Sequence, residues 1–460
     1  MSTPPLLDLE NSRHVHVVGV GGTGMSAIAA VLASMGHNVT GSDIKVSANL
    51  ARLGASGVTV WVGHSADHLD TAEVVVASSA VPPGNLELAE ARLRGLPVLS
   101  RADVLSALLK TKRTVAVAGT HGKTTTASML ALTTASAGMQ PSFLIGGELN
   151  EIGSGAVWDV GDWLILEADE SDGTFLALRS QVAIVTSVEA DHLEYYGSMA
   201  NLVSAFRTFL DKVDGTAIVC ADFPEAAHLG ESCGASTYGT SKTSEWRIVD
   251  IRSERTSTSF GLEHHNVSVG QFVIPVPGTF NARNATATIV AGLSLGVSLE
   301  QSRLALARFA GVARRYQFRG QRNGVTFVDD YAHLASEVEA ALDAASKGGW
   351  ARIVCVYQPH RFSRTETLWE SFASAFLQAE VTLIMDVYPA GELPRPGVSG
   401  ELVAKAVLGA HPLSDVSYVP SRVEVLERLR VLLQPGDLCL MLGAGDVGSL
   451  IDEIEVGAQL

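Results

Sequence analysis

A chain of 460 residues is about three domains' worth at roughly 150 residues each; 47% hydrophobic and 18% charged residues, with 44 glycines, suit compact α/β domains and exclude a disordered chain. The formal net charge of −16 excludes nucleic acid and an acidic membrane surface as partners of the whole chain, so anionic ligands need local basic sites. Cys220, Cys233, Cys355 and Cys439 show neither CxxC spacing nor clustering with histidine, which argues against a zinc site or a disulfide framework and fits a reducing cytoplasm.

No secretory signal is expected from Met1-Ser2-Thr3-Pro4-Pro5, and order is expected beyond about the first dozen residues. Residues 14–18 read as a strand leading into Gly19-Val20-Gly21-Gly22-Thr23-Gly24, followed by apolar residues at helical spacing. A second strand ends at Asp43, where dinucleotide-binding units carry a ribose carboxylate. Taken alone this segment suits NAD, and equally any close strand-to-helix turn. Residues 73–81 form another buried strand, whose hydroxyl-rich exit at Ser78 and Ser79 lines the same crevice.

Residues 114–126 combine a buried strand, a glycine turn and a helix start, which is the layout of a phosphate cradle. Gly119 and Gly122 let the backbone approach a phosphate, Lys123 reaches the terminal phosphates, and the Thr124 hydroxyl suits Mg²⁺. Val117 stands where the general P-loop pattern has its first glycine, so the loop is shorter than in most such NTPases. Two further strands run into acidic ends, Glu167-Ala168-Asp169-Glu170-Ser171-Asp172 and Glu189-Ala190-Asp191-His192. In a parallel sheet these ends share an edge with the P-loop and offer hard ligands for Mg²⁺; the plainer reading is acidic helix caps on buried strands.

Residues 245–275 alternate polar and apolar groups, predicting antiparallel strands, and residues 285–299 predict a buried helix too short to span a membrane. Arg314, Arg315 and Arg319 make residues 311–320 the densest basic patch, either a solvated face or a binding surface at the passage to a third domain. Strands are predicted at 325–330, 353–357, 381–385 and 438–442, the last opening on a second glycine turn at 443–448.

Gly-Thr-His-Gly-Lys-Thr-Thr-Thr (119–126), Glu-Ala-Asp-Glu-Ser-Asp-Gly (167–173), Asp-Tyr-Ala-His (330–333), Gln-Pro-His-Arg-Phe-Ser-Arg-Thr (358–365) and Tyr-Pro-Ala-Gly-Glu (388–392) together closely resemble the cytoplasmic Mur ligases. The likeness spans nearly the whole chain, and the Gln-Pro-His-Arg run is that of the alanine-adding branch. It implies a three-domain α/β protein: a Rossmann-like UDP-sugar domain (11–110), a central P-loop ATPase with a mainly parallel sheet (111–312) and a Rossmann-like C-terminal domain (313–460) that closes over a cleft. The implied cofactors are ATP and Mg²⁺. The implied substrates are UDP-N-acetylmuramate and L-alanine, joined through an acyl phosphate in peptidoglycan precursor synthesis by a monomer or homodimer.

The resemblance also implies site roles. Gly21, Gly22, Thr23, Gly24, Asp43 and Ser79 would hold the UDP-sugar. Gly119, Thr120, His121, Gly122, Lys123, Thr124, Thr125, Asn284, Arg315 and Asp330 would hold ATP. Thr124 and Glu167 would take one Mg²⁺ and His192 a second, while Lys123, His192, His333, Arg361 and Arg364 serve the chemistry. The chain departs from the family at Phe280, where histidine is usual, at His333-Leu334-Ala335 in place of His-His-Pro, and over residues 199–206, where no lysine offers itself for carbamylation. Beside this stand a related ligase for another amino acid or a recycled peptide, an NAD-dependent dehydrogenase, and a non-catalytic nucleotide switch.

Overall fold

The computed structural model describes residue 7 and residues 9–454; the Met1–Pro5 stretch, from which no secretory signal was expected, lies outside the described residues. Three sheets follow one another along the chain. The first contains β1 (His14–Val18), β2 (Asn38–Asp43), β3 (Thr59–Val62), β4 (Val74–Ala77) and β5 (Val98–Ser100), all parallel, in the order β3-β2-β1-β4-β5. The order reverses at β1, so the crevice beyond its carboxyl end, where Gly19 begins the glycine loop, is the switch point of a doubly wound sheet.

One face of this sheet is held by a buried polar cluster. Glu87 is fully buried at the start of the helix Leu86–Leu93. Its carboxylate accepts from Ser42 Oγ at 2.5 Å and faces His64 Nδ1 at 2.9 Å, His68 Nδ1 at 2.7 Å and His16 Nε2 at 3.6 Å. Burial works against the charged form, but nearby His16 and the bonds from Ser42 and His68 outweigh it and bring the Glu87 pKa down to about 2. One side chain thus ties β1, β2 and the segment after β3 together.

The second series comprises β6 (Arg113–Ala118), β7 (Ser142–Leu149), β8 (Ser154–Val157), β9 (Trp163–Glu167), β10 (Ser180–Val185), β11 (Val213–Cys220), β12 (Ser236–Gly239), β13 (Trp246–Ser253), β14 (Thr258–His264) and β15 (Val267–Ile274). By internal contacts the chain falls into two compact units: residues 1–188, 200–237 and 287–305, and residues 189–199, 238–286 and 306–460. Within the first unit the order is β11-β10-β6-β9-β7-β8, parallel except for the β7–β8 hairpin. Strand β6 lies between β9, which ends on Glu167, and β10, so the two strands expected beside the P-loop strand are its neighbours. Within the second unit β13, β14 and β15 form the predicted antiparallel meander.

The buried helix predicted at 285–299 is Thr279–Ser294. It begins earlier because Gly278 (φ +102) turns the chain and Asn281 Nδ2 caps the Pro277 carbonyl at 2.7 Å. It ends earlier because Gly296 (φ +91) takes the left-handed conformation and Val297 N returns to Gly292 O at 2.9 Å.

The last sheet holds β16 (Gln317–Arg322), β17 (Val325–Asp330), β18 (Ile353–Tyr357), β19 (Val381–Ile384), β20 (Val416–Tyr418) and β21 (Leu438–Leu442), in the order β16-β17-β21-β18-β19-β20. All neighbours are parallel except β16 with β17. Strands β18 and β21 are apolar throughout because both their faces are buried. Val328, Cys355, Tyr357, Leu438, Leu440 and Leu442 pack on one side, and Phe327, Val354, Val356, Cys439 and Met441 on the other. No cysteine is in a disulfide, and only Cys233 is less than fully buried. Among the described residues no helix is long and apolar enough to cross a membrane.

Candidate active site

In the first unit the P-loop leaves β6 and enters the helix Lys123–Ser136 through two left-handed glycines, Gly119 (φ +130) and Gly122 (φ +78). A Cβ on Gly119 would lie 2.2 Å from Thr186 Oγ1 and 2.8 Å from Ser187 N, so the residues after β10 press directly on the loop. They also brace it: Thr120 N donates to Ser187 O at 3.1 Å and His121 N to Ser187 Oγ at 2.8 Å. Thr124 and Thr125 fall in the first turn of the helix.

Lys123 Nζ donates to Gly119 O at 2.7 Å and to both oxygens of Glu170 at 2.8 Å. Burial opposes the ammonium charge, but Glu170 and Asp169 more than offset it and raise the pKa above the usual lysine value. Thr124 Oγ1 donates to Glu167 Oε1 at 2.9 Å, and Gly146 N to Glu167 Oε2 at 2.6 Å. A hydroxyl and a carboxylate thus meet at the carboxyl ends of β6 and β9, a pair of hard oxygen donors fitted to Mg²⁺. Glu170, which sequence reasoning left without a role, was signalled only by its place in the acidic run.

At the N-terminal glycine loop, Asp43 Oδ2 accepts from Gly21 N at 2.9 Å, and Asn49 Nδ2 donates to Gly21 O at 2.8 Å. Gly22 precedes the helix Thr23–Ser34 with no side-chain cap, leaving the first turn's N–H groups to an anion. Ser79 is exposed just past β4. A cavity of about 110 Å³ joins this loop to the P-loop edge: its walls include Thr23, Gly24, Arg101, Gly146, Glu167 and Asp169. Arg101 passes so close that a Cβ on Gly24 would lie 3.0 Å from its Cζ, and its buried Nε has no hydrogen-bond partner. Nothing in the sequence singled out this arginine.

In the second unit, Asp191 gathers an arginine and two histidines around it. Arg364 is buried and grips it with Nε at 2.9 Å and Nη2 at 3.3 Å; His192 Nε2 and His333 Nε2 lie 3.3 Å and 3.8 Å from its Oδ2. Burial opposes this charge, yet the nearby His333 and the Arg364 charge outweigh it and hold the carboxyl far below its usual range. His333 Nδ1 faces Tyr331 O at 3.0 Å, which orients the ring. His360 Nδ1 lies 3.1 Å from Arg364 Nη1, and its ring stacks on Tyr388. Burial and the Arg364 charge push its pKa down to about 3, so it is neutral at pH 7.

Arg361 and Arg364 sit in different surroundings. The helix is Phe362–Leu368, and Arg361 precedes it with φ +71. The Arg361 side chain is 38% exposed and comes only to 3.9 Å and 4.0 Å from Glu194 and Glu392.

Asp330 ends β17 and receives Tyr316 N and Ala332 N, each at 2.7 Å; burial, with Arg315 opposing, brings its pKa up to about 6. Arg314 and Arg315 each lie 5.0 Å over the Tyr331 ring, an arrangement that shows the basic patch folded against its neighbouring aromatic. Asn284 is buried, with Nδ2 3.3 Å from Asn281 Oδ1. Phe280 packs against the core cluster of Tyr316, Val328 and Leu440, which explains an apolar ring at that position. Thr124 and Glu167 therefore meet directly, whereas His192 belongs to the other unit and has Asp191 and Glu194 as neighbours.

Three family models match the chain: the Mur ligase family catalytic domain over residues 14–113, the Mur ligase middle domain over 117–292, and the Mur ligase glutamate ligase domain over 314–445. A UDP-N-acetylmuramate–L-alanine ligase of Pelotomaculum thermopropionicum is 44% identical over 446 residues, 96% of each chain. Its namesake in Salinibacter ruber is 43% identical over 95% of this chain and 93% of its own. The crystal structure of UDP-N-acetylmuramate–alanine ligase from Thermotoga maritima aligns with a TM-score of 0.81 at 28% identity, covering 96% of this chain and 98% of that one.

Proposed function

This chain belongs to the Mur ligase family, and we propose that it joins L-alanine to the lactyl carboxylate of UDP-N-acetylmuramate at the expense of ATP, a step in peptidoglycan precursor synthesis. The observation that carries the reading is the cavity whose walls include both the N-terminal glycine loop and the carboxylates Glu167 and Asp169. A nicotinamide dehydrogenase has no use for metal-suited carboxylates beside its dinucleotide loop. A ligase needs the sugar diphosphate next to the phosphoryl donor. Near full-length identity to alanine-adding relatives supports the choice of amino acid.

In this reading Gly21, Gly22, Thr23 and Gly24 hold the diphosphate, with Asp43 stiffening their loop, Ser79 beside it and the free Nε of Arg101 nearby. Residues 119–125 wrap the ATP phosphates. Lys123, already positioned by Glu170, neutralises charge on them. Asn284, Arg315 and Asp330 serve the nucleotide. Thr124 and Glu167 would hold one Mg²⁺ and His192 a second, and the ions would supply charge neutralisation at the transferring phosphoryl group. The lactyl carboxylate takes the γ-phosphoryl and ADP leaves; the alanine amine then attacks the acyl carbon, phosphate leaves, and the amine gives up a proton. Both steps gather negative charge, so cations fixed in advance lower the barrier. Arg364 is such a cation, fixed by Asp191 and backed by neutral His360, while His333 and the half-exposed Arg361 face the amino acid and the reacting carboxylate.

The domain limits that go with this are 11–110, 111–312 and 313–460, and the compartment is the cytoplasm. The test is phosphate release from ATP with UDP-N-acetylmuramate and each amino acid in turn. Release is expected only with both the UDP-sugar and an amino acid, and fastest with L-alanine. Equal release without UDP-sugar, or a preference for a peptide over L-alanine, would overturn the assignment.

A further inference from the structure

His264 and His265 are consecutive, and in a continuing strand their side chains would leave opposite faces of the sheet. Here they do not. Strand β14 ends at His264, and His265 (φ +48) and Asn266 (φ +65) both adopt left-handed backbone in the two-residue turn to β15. That turn brings the His265 ring beside the His264 ring, centroids 4.3 Å apart. Glu245, the residue before β13, lies opposite them: Trp246 pairs with His264 across the strands, and His265 N donates to Glu245 O at 3.0 Å.

His264 Nε2 and His265 Nε2 lie 3.1 Å and 3.7 Å from Glu245 Oε1, and the three donor atoms all fall within 4.8 Å of one another. Two donors placed tetrahedrally about a first-row ion at its usual bond length are ~3.4 Å apart, a value these separations bracket. Trp246 stacks on His264, centroids 4.0 Å apart and planes within 16°, which fixes that ring from its other side. Among the described residues no other group of three such side chains meets this spacing.

The geometry points to a site for one borderline divalent transition ion, of the Zn²⁺, Ni²⁺ or Cu²⁺ class, bound by His264, His265 and Glu245 with solvent completing the shell. Two imidazoles and one carboxylate suit these ions, whereas Mg²⁺ prefers oxygen donors alone, so this site and the Thr124–Glu167 pair select different ions by ligand chemistry. A bound ion would clip the start of β13 to the β14–β15 turn.

The test is calorimetric titration of Zn²⁺ into the full chain in excess Mg²⁺, beside the His264→Gln/His265→Gln double variant, with tryptophan emission followed during a parallel Ni²⁺ titration. The wild type should take up one equivalent more than the double variant, or bind it at least about tenfold more tightly, since direct ligands matter at least as much as their outer-shell partners. A quenched component of the emission should vanish in both the double variant and Trp246→Phe. Glu245→Gln, which keeps both rings, should also weaken Zn²⁺ binding and guards against misfolding of the double variant. Zn²⁺ isotherms and Ni²⁺ quenching that match the wild type in both the double variant and Glu245→Gln would overturn the site.

Discussion

At Glu87, a fully buried carboxylate is kept ionised by the groups that surround it, and this makes the first domain sensitive to acid. Its folded pKa of about 2 lies below the ordinary 4.5, so its contribution is whole above pH 4.5 and is lost as pH falls toward 2. The shift corresponds to about 3 kcal/mol. Glu87→Gln should therefore lower Tm at pH 7, and the gap from wild type should narrow by about half as the pH is taken from 5 to 3. A gap unchanged over that range would show that the cluster is not an ionised one. The two arginines of the C-terminal motif separate in the same way. Removing Arg364 strands Asp191 as a buried charge, so Arg364→Ala should destabilise by about 3–5 kcal/mol as well as slowing phosphate release. Arg361 is half-exposed with no close partner ion, so Arg361→Ala should leave Tm nearly unchanged while impairing turnover. Equal thermal stability of the two variants would contradict the arrangement described.

Among the elements, the P-loop shows how much a turn depends on the strand beside it. Gly119→Ala would place a methyl against Thr186 and Ser187 at a φ of +130, so the loop must move. Phosphate release should fall by at least about 10²-fold, the scale for losing one preorganised contact to the transition state, with the circular dichroism spectrum unchanged. Near-normal release would mean that the loop does not hold the phosphates. That loop was legible in the sequence because strand, glycine turn and helix are contiguous there. The α/β strands were legible because the last sheet, buried on both faces, leaves unbroken apolar runs such as 353–357. Side chains that meet through tertiary packing were not legible. Glu87 and its histidines are spread from His16 to Glu87 with no fixed spacing, and Arg101 contacts Gly24 from a separate helix. Glu170 stood inside an acidic run, but only the fold aims it at Lys123.

Across the whole molecule, the same rule recurs in each sheet: the candidate residues gather at the carboxyl ends of parallel strands. Asp43 ends β2, Glu167 ends β9 and Asp330 ends β17, while the glycine loop, the P-loop and residues 358–364 follow β1, β6 and β18. In a chain of net charge −16, Arg101 and Lys123 in the first unit and Arg315 and Arg364 in the second supply the local positive charge that the proposed anionic ligands would need. The thiols follow the opposite rule. Cys355 and Cys439 lie within the last sheet, where burial raises their pKa far above the ordinary range, and Cys220 is buried as well. Cys233 alone is partly accessible, with its own pKa raised by burial. A brief pulse of maleimide should therefore tag the native chain once, slowly, and all four cysteines after denaturation. Mass spectrometry of pulsed samples would then give the protein a built-in clock for its own opening, with no engineered probe.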